Sequence, residues 1–110
     1  MSYQHQELAA GRWSRLAFLD QMANIGSEVE RALNWRRTQH PDYAQRAFER
    51  AIELMDLTLE SVNSPARLKE LARAREVLVD FFYGTNQHGS TDASWRSYFS
   101  HFTSAARRNY

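Results

Sequence analysis

Two prolines in 110 residues, each standing where a helix would begin, constrain this chain more than any other feature. Pro41 sits between His40 and Asp42, and Pro65 follows Ser64. Proline suits the first helical position, because its missing N–H would have no intrahelical partner there. Inside a helix or a central strand it breaks the hydrogen-bond ladder. With four glycines besides, the chain has too few turn residues for many short strands and reads as long, uninterrupted helices.

Apolar periodicity divides the chain into four helical segments, at about 12–38, 41–62, 65–82 and 91–108. In the first, Leu16, Leu19, Ala23, Gly26, Val29 and Leu33 recur at three- and four-residue steps. A second stripe of Phe18, Met22, Ile25, Ala32 and Trp35 lies beside it, so the apolar surface is wider than one core requires. Gly26 costs about 1 kcal/mol relative to alanine in a helix interior, which points to the close approach of another helix. The second segment buries Tyr43, Ala47, Phe48, Ala51, Ile52, Met55, Leu59 and Val62. It exposes a carboxylate stripe, Glu49, Glu53, Asp56 and Glu60.

Ser64 is a good N-cap for the third segment, which buries Leu68, Leu71, Ala74, Leu78 and Phe81 before Gly84 ends it. Ser90 or Thr91 caps the fourth, whose core face is Trp95, Tyr98, Phe99, Phe102 and Ala106. One all-α domain follows, folded most simply as an antiparallel up-down-up-down four-helix bundle. The first helix, about 40 Å long against about 27 Å for the third, would overhang its partners.

Charge and composition exclude several functions. The net charge of +1 is too small to imply a nucleic-acid or membrane partner by itself. No apolar run is long enough to span a bilayer, and the first residues are no signal peptide, so a cytoplasmic protein without a membrane partner is expected. The chain has no cysteine, hence no disulfide or thiolate chemistry. Lys69 is the only lysine among the basic residues. Arginine's planar fork suits ion pairs between helices or subunits, and it also suits phosphate. Phosphate contacts, weak and salt-sensitive, would centre on Arg36, Arg37, Arg107 and Arg108.

Catalytic patterns are sparse. A di-iron bundle needs Glu-x-x-His on two helices, and none of His5, His40, His88 and His101 has a glutamate three residues before it. No phosphate-binding loop, dinucleotide fingerprint or nucleophile elbow occurs, and no cofactor is implied. Arg96 and His101 have the Arg-x-x-x-x-His spacing of HEPN nucleases, in which histidine moves a proton and arginine stabilises phosphate charge. Five residues apart on a straight helix, the two point about 140° from each other. A surface arginine and a helix-end histidine explain them more simply.

The stretches Gln21-Met22-Ala23-Asn24-Ile25-Gly26-Ser27-Glu28 and Ala47-Phe48-Glu49-Arg50-Ala51-Ile52-Glu53-Leu54-Met55-Asp56-Leu57-Thr58 resemble the proteins encoded by ribosomal-RNA intervening sequences. That group is similar to the accessory proteins of diversity-generating retroelements. Arg67-Leu68-Lys69-Glu70-Leu71, Val79-Asp80-Phe81-Phe82 and Ser90-Thr91-Asp92-Ala93-Ser94-Trp95 look like a cytosolic branch of unknown function. The resemblance implies a four-helix bundle assembled as a five-membered ring, with a nucleoprotein partner in the retroelement relatives.

The residues and the resemblance together lead to a non-enzymatic, homo-oligomeric scaffold or adaptor. The alternative is an RNA-cleaving enzyme using Arg96 and His101. Phe81, Phe82 and Tyr83 are consecutive, so they cannot all face one core. With Phe18, Ile25 and Trp35 from the second stripe of the first helix, Phe82 and Tyr83 are the candidate oligomer contacts.

Overall fold

The computed structural model describes residues 11–108, which form helices and turns without a strand. A helical turn at 11–14 precedes four helices: α1 (Phe18–Arg37), α2 (Pro41–Ser61), α3 (Pro65–Tyr83) and α4 (Asp92–Arg108). His5 lies outside the described residues.

The helix boundaries are set by local chemistry. Both prolines occupy the first turns of α2 and α3, and Ser64 accepts the backbone N–H of Arg67 through its hydroxyl at 3.4 Å. Thr91, rather than Ser90, caps α4. Its Oγ1 accepts the Ser94 N–H at 3.0 Å, and Ser94 Oγ accepts the Thr91 N–H in return at 2.9 Å. Gly84 ends α3, where a Cβ would lie 2.9 Å from the Asp80 carbonyl oxygen.

The first helix departs from its expected length. The chain leaves helical geometry between residues 15 and 17, with Ala17 extended, and α1 starts at Phe18. The reason lies in Trp13. Its indole N–H reaches Thr58 Oγ1 at 2.8 Å, and its carbonyl accepts the Gln21 side-chain amide at 2.9 Å. These bonds turn residues 11–14 inward over the end of α2. At 20 residues, α1 is therefore close to the 19 of α3, and the long overhang is not formed.

Helix α1 packs against α2 on one side and α4 on the other, and α2 also packs against α3. Met22, Ile25, Val29, Ala32 and Leu33 of α1 meet Phe48, Ala51 and Met55 of α2, Leu71 and Leu78 of α3, and Trp95 and Phe99 of α4 in one core. Gly26 fits the expectation of close approach. A Cβ built there would stand 2.8 Å from Phe99 Cβ, so the missing side chain sets the spacing of α1 and α4.

Two sets of contacts mark the ends. Arg36, in the last turn of α1, touches Phe81 and Phe82 in the last turn of α3 and pairs with Asp92 in the first turn of α4. At the other end Phe18 meets Phe102 edge to face at 6.2 Å, with the Arg67 guanidinium 4.7 Å from its ring centre. Gln21 and Ser61 are also 3.3 Å apart there.

Three assignments of core residues differ from expectation. Leu68 is 43% exposed and Tyr43 49% exposed, because both stand in the first turns of their helices, where one face extends past the neighbouring helix. Leu16 is exposed because the break before α1 removes it from the helix stripe.

Candidate association surface

The sequence places aromatic residues on both sides of the tight turn joining α1 to α2, and the fold stacks them. Trp35 and Tyr43 lie 4.9 Å apart between ring centres, with the His40 ring 5.2 Å from Trp35. Arg46, one turn after Tyr43 on α2, puts its guanidinium 5.3 Å from the Tyr43 ring centre. The turn is tightened by Gln39 in the left-handed region at φ 63° and by the His40 N–H bonded to the Trp35 carbonyl at 2.8 Å. Its short span leaves the first turn of α2 beside the last turn of α1 and beyond the core. Trp35 remains 36% exposed and Tyr43 49%. The result is a partly exposed aromatic ledge, with the Trp35 ring against the Tyr43 ring and Arg46 over Tyr43.

A second exposed aromatic, Tyr83, lies at the same end, where α3 finishes. It is 55% exposed and makes an edge contact with Phe48 at 4.8 Å. Burial, followed by the neighbouring Glu49 carboxylate, holds its phenol above the usual tyrosine range. Its neighbours in sequence are used internally. Phe82 packs on Phe48 at 4.4 Å, Phe81 meets Phe82 edge to face at 5.3 Å, and Arg36 covers both rings at 4.6 and 4.8 Å.

The five expected oligomer contacts thus separate. Trp35 and Tyr83 present large exposed surfaces. Ile25 does not: it is wholly buried in the chain's own core and cannot touch a second copy. The second stripe of α1 is consumed in the same way, since Met22 and Ala32 are also fully buried. One helix packed between two neighbours, α2 and α4, needs two apolar faces. Phe18 and Phe82 are half-buried under Phe102 and Arg67, and under Phe48 and Arg36, respectively. Tyr43 is the residue that periodicity misplaced. Aromatic residues flanking a tight turn, Trp35-x-x-x-x-His40-x-x-Tyr43, were the available signal.

A groove runs between α3 and α4. Its floor is Ala74, Val77, Trp95 and Tyr98, its rim includes Glu70 and Arg73, and it encloses about 310 Å³. Tyr98 donates its hydroxyl to Glu70 at 3.2 Å, joining α4 to α3. Burial, reinforced by the Glu70 carboxylate, raises the Tyr98 phenol far above its ordinary value, so it stays a neutral donor. The buried Trp95 indole N–H has no hydrogen-bond partner among the described residues. Such donors are uncommon in folded proteins and are costly when left unmet.

Four arginines form ion pairs between helices, Arg36, Arg50, Arg75 and Arg96. Arg75 pairs with Asp56 at 2.8 Å across α3 and α2, and Arg36 with Asp92 at 2.9 Å across α1 and α4. Arg96 pairs with Glu30 at 2.8 Å and reaches Asn34 at 3.4 Å, which holds its guanidinium against α1. His101 is exposed on the same helix. The arginine that would have stabilised phosphate charge thus already faces a carboxylate. Of the four arginines expected to meet nucleic acid, Arg36 is engaged with Asp92 and two phenylalanines, whereas Arg37, Arg107 and Arg108 are exposed. The α2 stripe is also broken up, since Asp56 is bonded to Arg75 and burial raises the Glu53 carboxyl above its usual range. No three metal-ligating side chains cluster among the described residues, and no helix there is long and apolar enough to cross a membrane.

Comparison of the chain with protein-family models, curated proteins and solved structures found no match.

Proposed function

We propose that this chain is a non-enzymatic scaffold subunit that associates with copies of itself. The observation that carries the reading is the ledge of Trp35 and Tyr43, with Tyr83 at the same end: these three aromatic side chains are among the five large apolar residues left exposed in the described part of the chain, beside Leu16 and Leu68. Grouped aromatic surface is a recurrent mark of an interface, because rigid rings bury much area at small entropic cost. In this reading the subunit is an up-down-up-down four-helix bundle. The meeting of the α1 and α3 C-terminal turns with the α4 N-terminal turn, through Arg36, supports that arrangement. The family resemblance adds a ring of five and a nucleoprotein partner as the form and setting of the assembly.

Light scattering on a size-exclusion column tests the proposal. The wild-type chain is expected to elute above the mass of one chain at micromolar concentration, and Trp35→Ser/Tyr43→Ser to shift it towards that mass. A wild type that is monomeric there would overturn the reading.

A further inference from the structure

Two polar side chains are buried among the described residues, Gln21 and Thr58, and both are bonded to Trp13. The Thr58 hydroxyl accepts the Trp13 indole N–H at 2.8 Å, and the Gln21 amide donates to the Trp13 carbonyl at 2.9 Å. One bond reads the ring and the other the main chain, so together they select a tryptophan residue. Polar groups are costly in a core unless they are bonded, and each of these is also held by a bond that does not involve Trp13. Thr58 Oγ1 donates to the Leu54 carbonyl at 2.7 Å, and Gln21 Nε2 donates to Ser61 Oγ at 3.3 Å. Ser61 Oγ in turn donates to the Thr58 carbonyl at 3.2 Å. The recognising groups are therefore oriented by α1 and α2 themselves.

The segment that carries Trp13 is attached by little else. From Gly11 to Ala17, Trp13 alone is buried. The backbone N–H groups of Arg15 and Leu16 bond back to Arg12 and Trp13 within the same turn, and Ser14 Oγ bonds to the Gly11 carbonyl. The chain then passes through exposed Leu16 and extended Ala17 before α1 begins. We infer that residues 11–14 form a detachable clasp, with Trp13 as the tethered occupant of a site on α1 and α2 that recognises a tryptophan residue in peptide linkage. The clasp swings about residues 15–17 while the four helices stay folded, a local opening of the kind that weakly anchored segments undergo. Met22, Ile25, Phe48 and Met55 hold α1 and α2 together whether or not Trp13 is seated. The vacated site offers an acceptor at Thr58 and a donor at Gln21, beside a polar recess of about 320 Å³ lined by Gln21, Ser61 and Arg67. A tryptophan-bearing peptide competes with the clasp for it.

Hydrogen exchange in the wild type tests the opening, and a cavity variant tests the recognition. Relative to its intrinsic rate, the Trp13 indole proton should exchange roughly tenfold or more faster than the amides of Ile25 and Met55. Trp13→Ala should keep its helices by circular dichroism. Millimolar N-acetyl-tryptophanamide, which carries both an indole N–H and a carbonyl, should raise its thermal midpoint by about 2 °C or more. The wild type, its site already filled, should shift less. Adding Thr58→Val to Trp13→Ala should weaken N-acetyl-tryptophanamide binding by about tenfold. An indole proton that exchanges only as slowly as those amides overturns the clasp, and so does a Trp13→Ala chain that has lost its helices. A folded Trp13→Ala chain that N-acetyl-tryptophanamide shifts no more than the wild type, or shifts equally after Thr58→Val, overturns the tryptophan site.

Discussion

Gly26 and Phe99 face each other across α1 and α4 so closely that a methyl group on Gly26 would stand 2.8 Å from Phe99 Cβ. The obstructing atom is next to the α4 backbone and cannot swing aside as the tip of a long side chain could. Alanine would gain about 1 kcal/mol in helix propensity. The clash should outweigh that gain, and Gly26→Ala is expected to lose about 1–3 kcal/mol of stability in urea denaturation. A variant as stable as the wild type would mean that the helices separate freely.

The chain's helices were legible for local reasons. Prolines in the first turns of α2 and α3, Ser64 as a cap and Gly84 as a terminator act through atoms a few residues away. The start of α1 was not legible, because it is decided by Trp13 bonding to a threonine 45 residues on. The exposed aromatic surface was only partly legible. A second apolar stripe on α1 correctly signals a second neighbour, but that neighbour is α4 of the same chain for Ile25 and solvent for Trp35. Periodicity reports that a face is apolar. It cannot report what covers it, and it misplaces Tyr43 because first-turn residues obey the pattern without reaching the core.

The Trp13–Thr58 bond offers a second test. Thr58 is fully buried, and its hydroxyl both accepts from the indole at 2.8 Å and donates to the Leu54 carbonyl at 2.7 Å. Thr58→Val keeps the shape and strands the Trp13 N–H, so a loss of about 1–3 kcal/mol is expected by chemical denaturation. Adding Trp13→Phe should cost less than the sum of the two single changes, because the donor is then gone as well. Strict additivity would place the two groups in separate environments.

The loop after α3 should respond to acid. Asp80 accepts the backbone N–H groups of Gln87 and His88, each at 3.1 Å. The His88 bond leads the causes that hold its carboxyl below the ordinary value of 3.8. A depressed carboxyl contributes stability that is present above the unfolded-state value and is lost as pH falls through the folded one. The Gln87 and His88 amide resonances should therefore titrate together with a midpoint below 3.8, and Asp80→Asn should abolish that titration. Amides that titrate at or above the ordinary value would contradict the latch.

Arg36 joins three helices through one guanidinium, over Phe81 and Phe82 and against Asp92. The ion pair is solvent-accessible and screened, so Arg36→Met should cost only about 0.5–1.5 kcal/mol, mostly from the lost ring contacts. Asp92→Asn should cost less, since it leaves those contacts in place. Equal losses in thermal or chemical denaturation would assign the effect to the ion pair instead.

Self-association is the central claim, and sedimentation velocity across micromolar concentrations tests it most directly. One chain weighs 12.9 kDa. A closed assembly built through the aromatic ledge should sediment as a single species at a whole multiple of that mass and dissociate on dilution or when Trp35 and Tyr43 are replaced by serine. A single species at 12.9 kDa throughout the range would contradict the account.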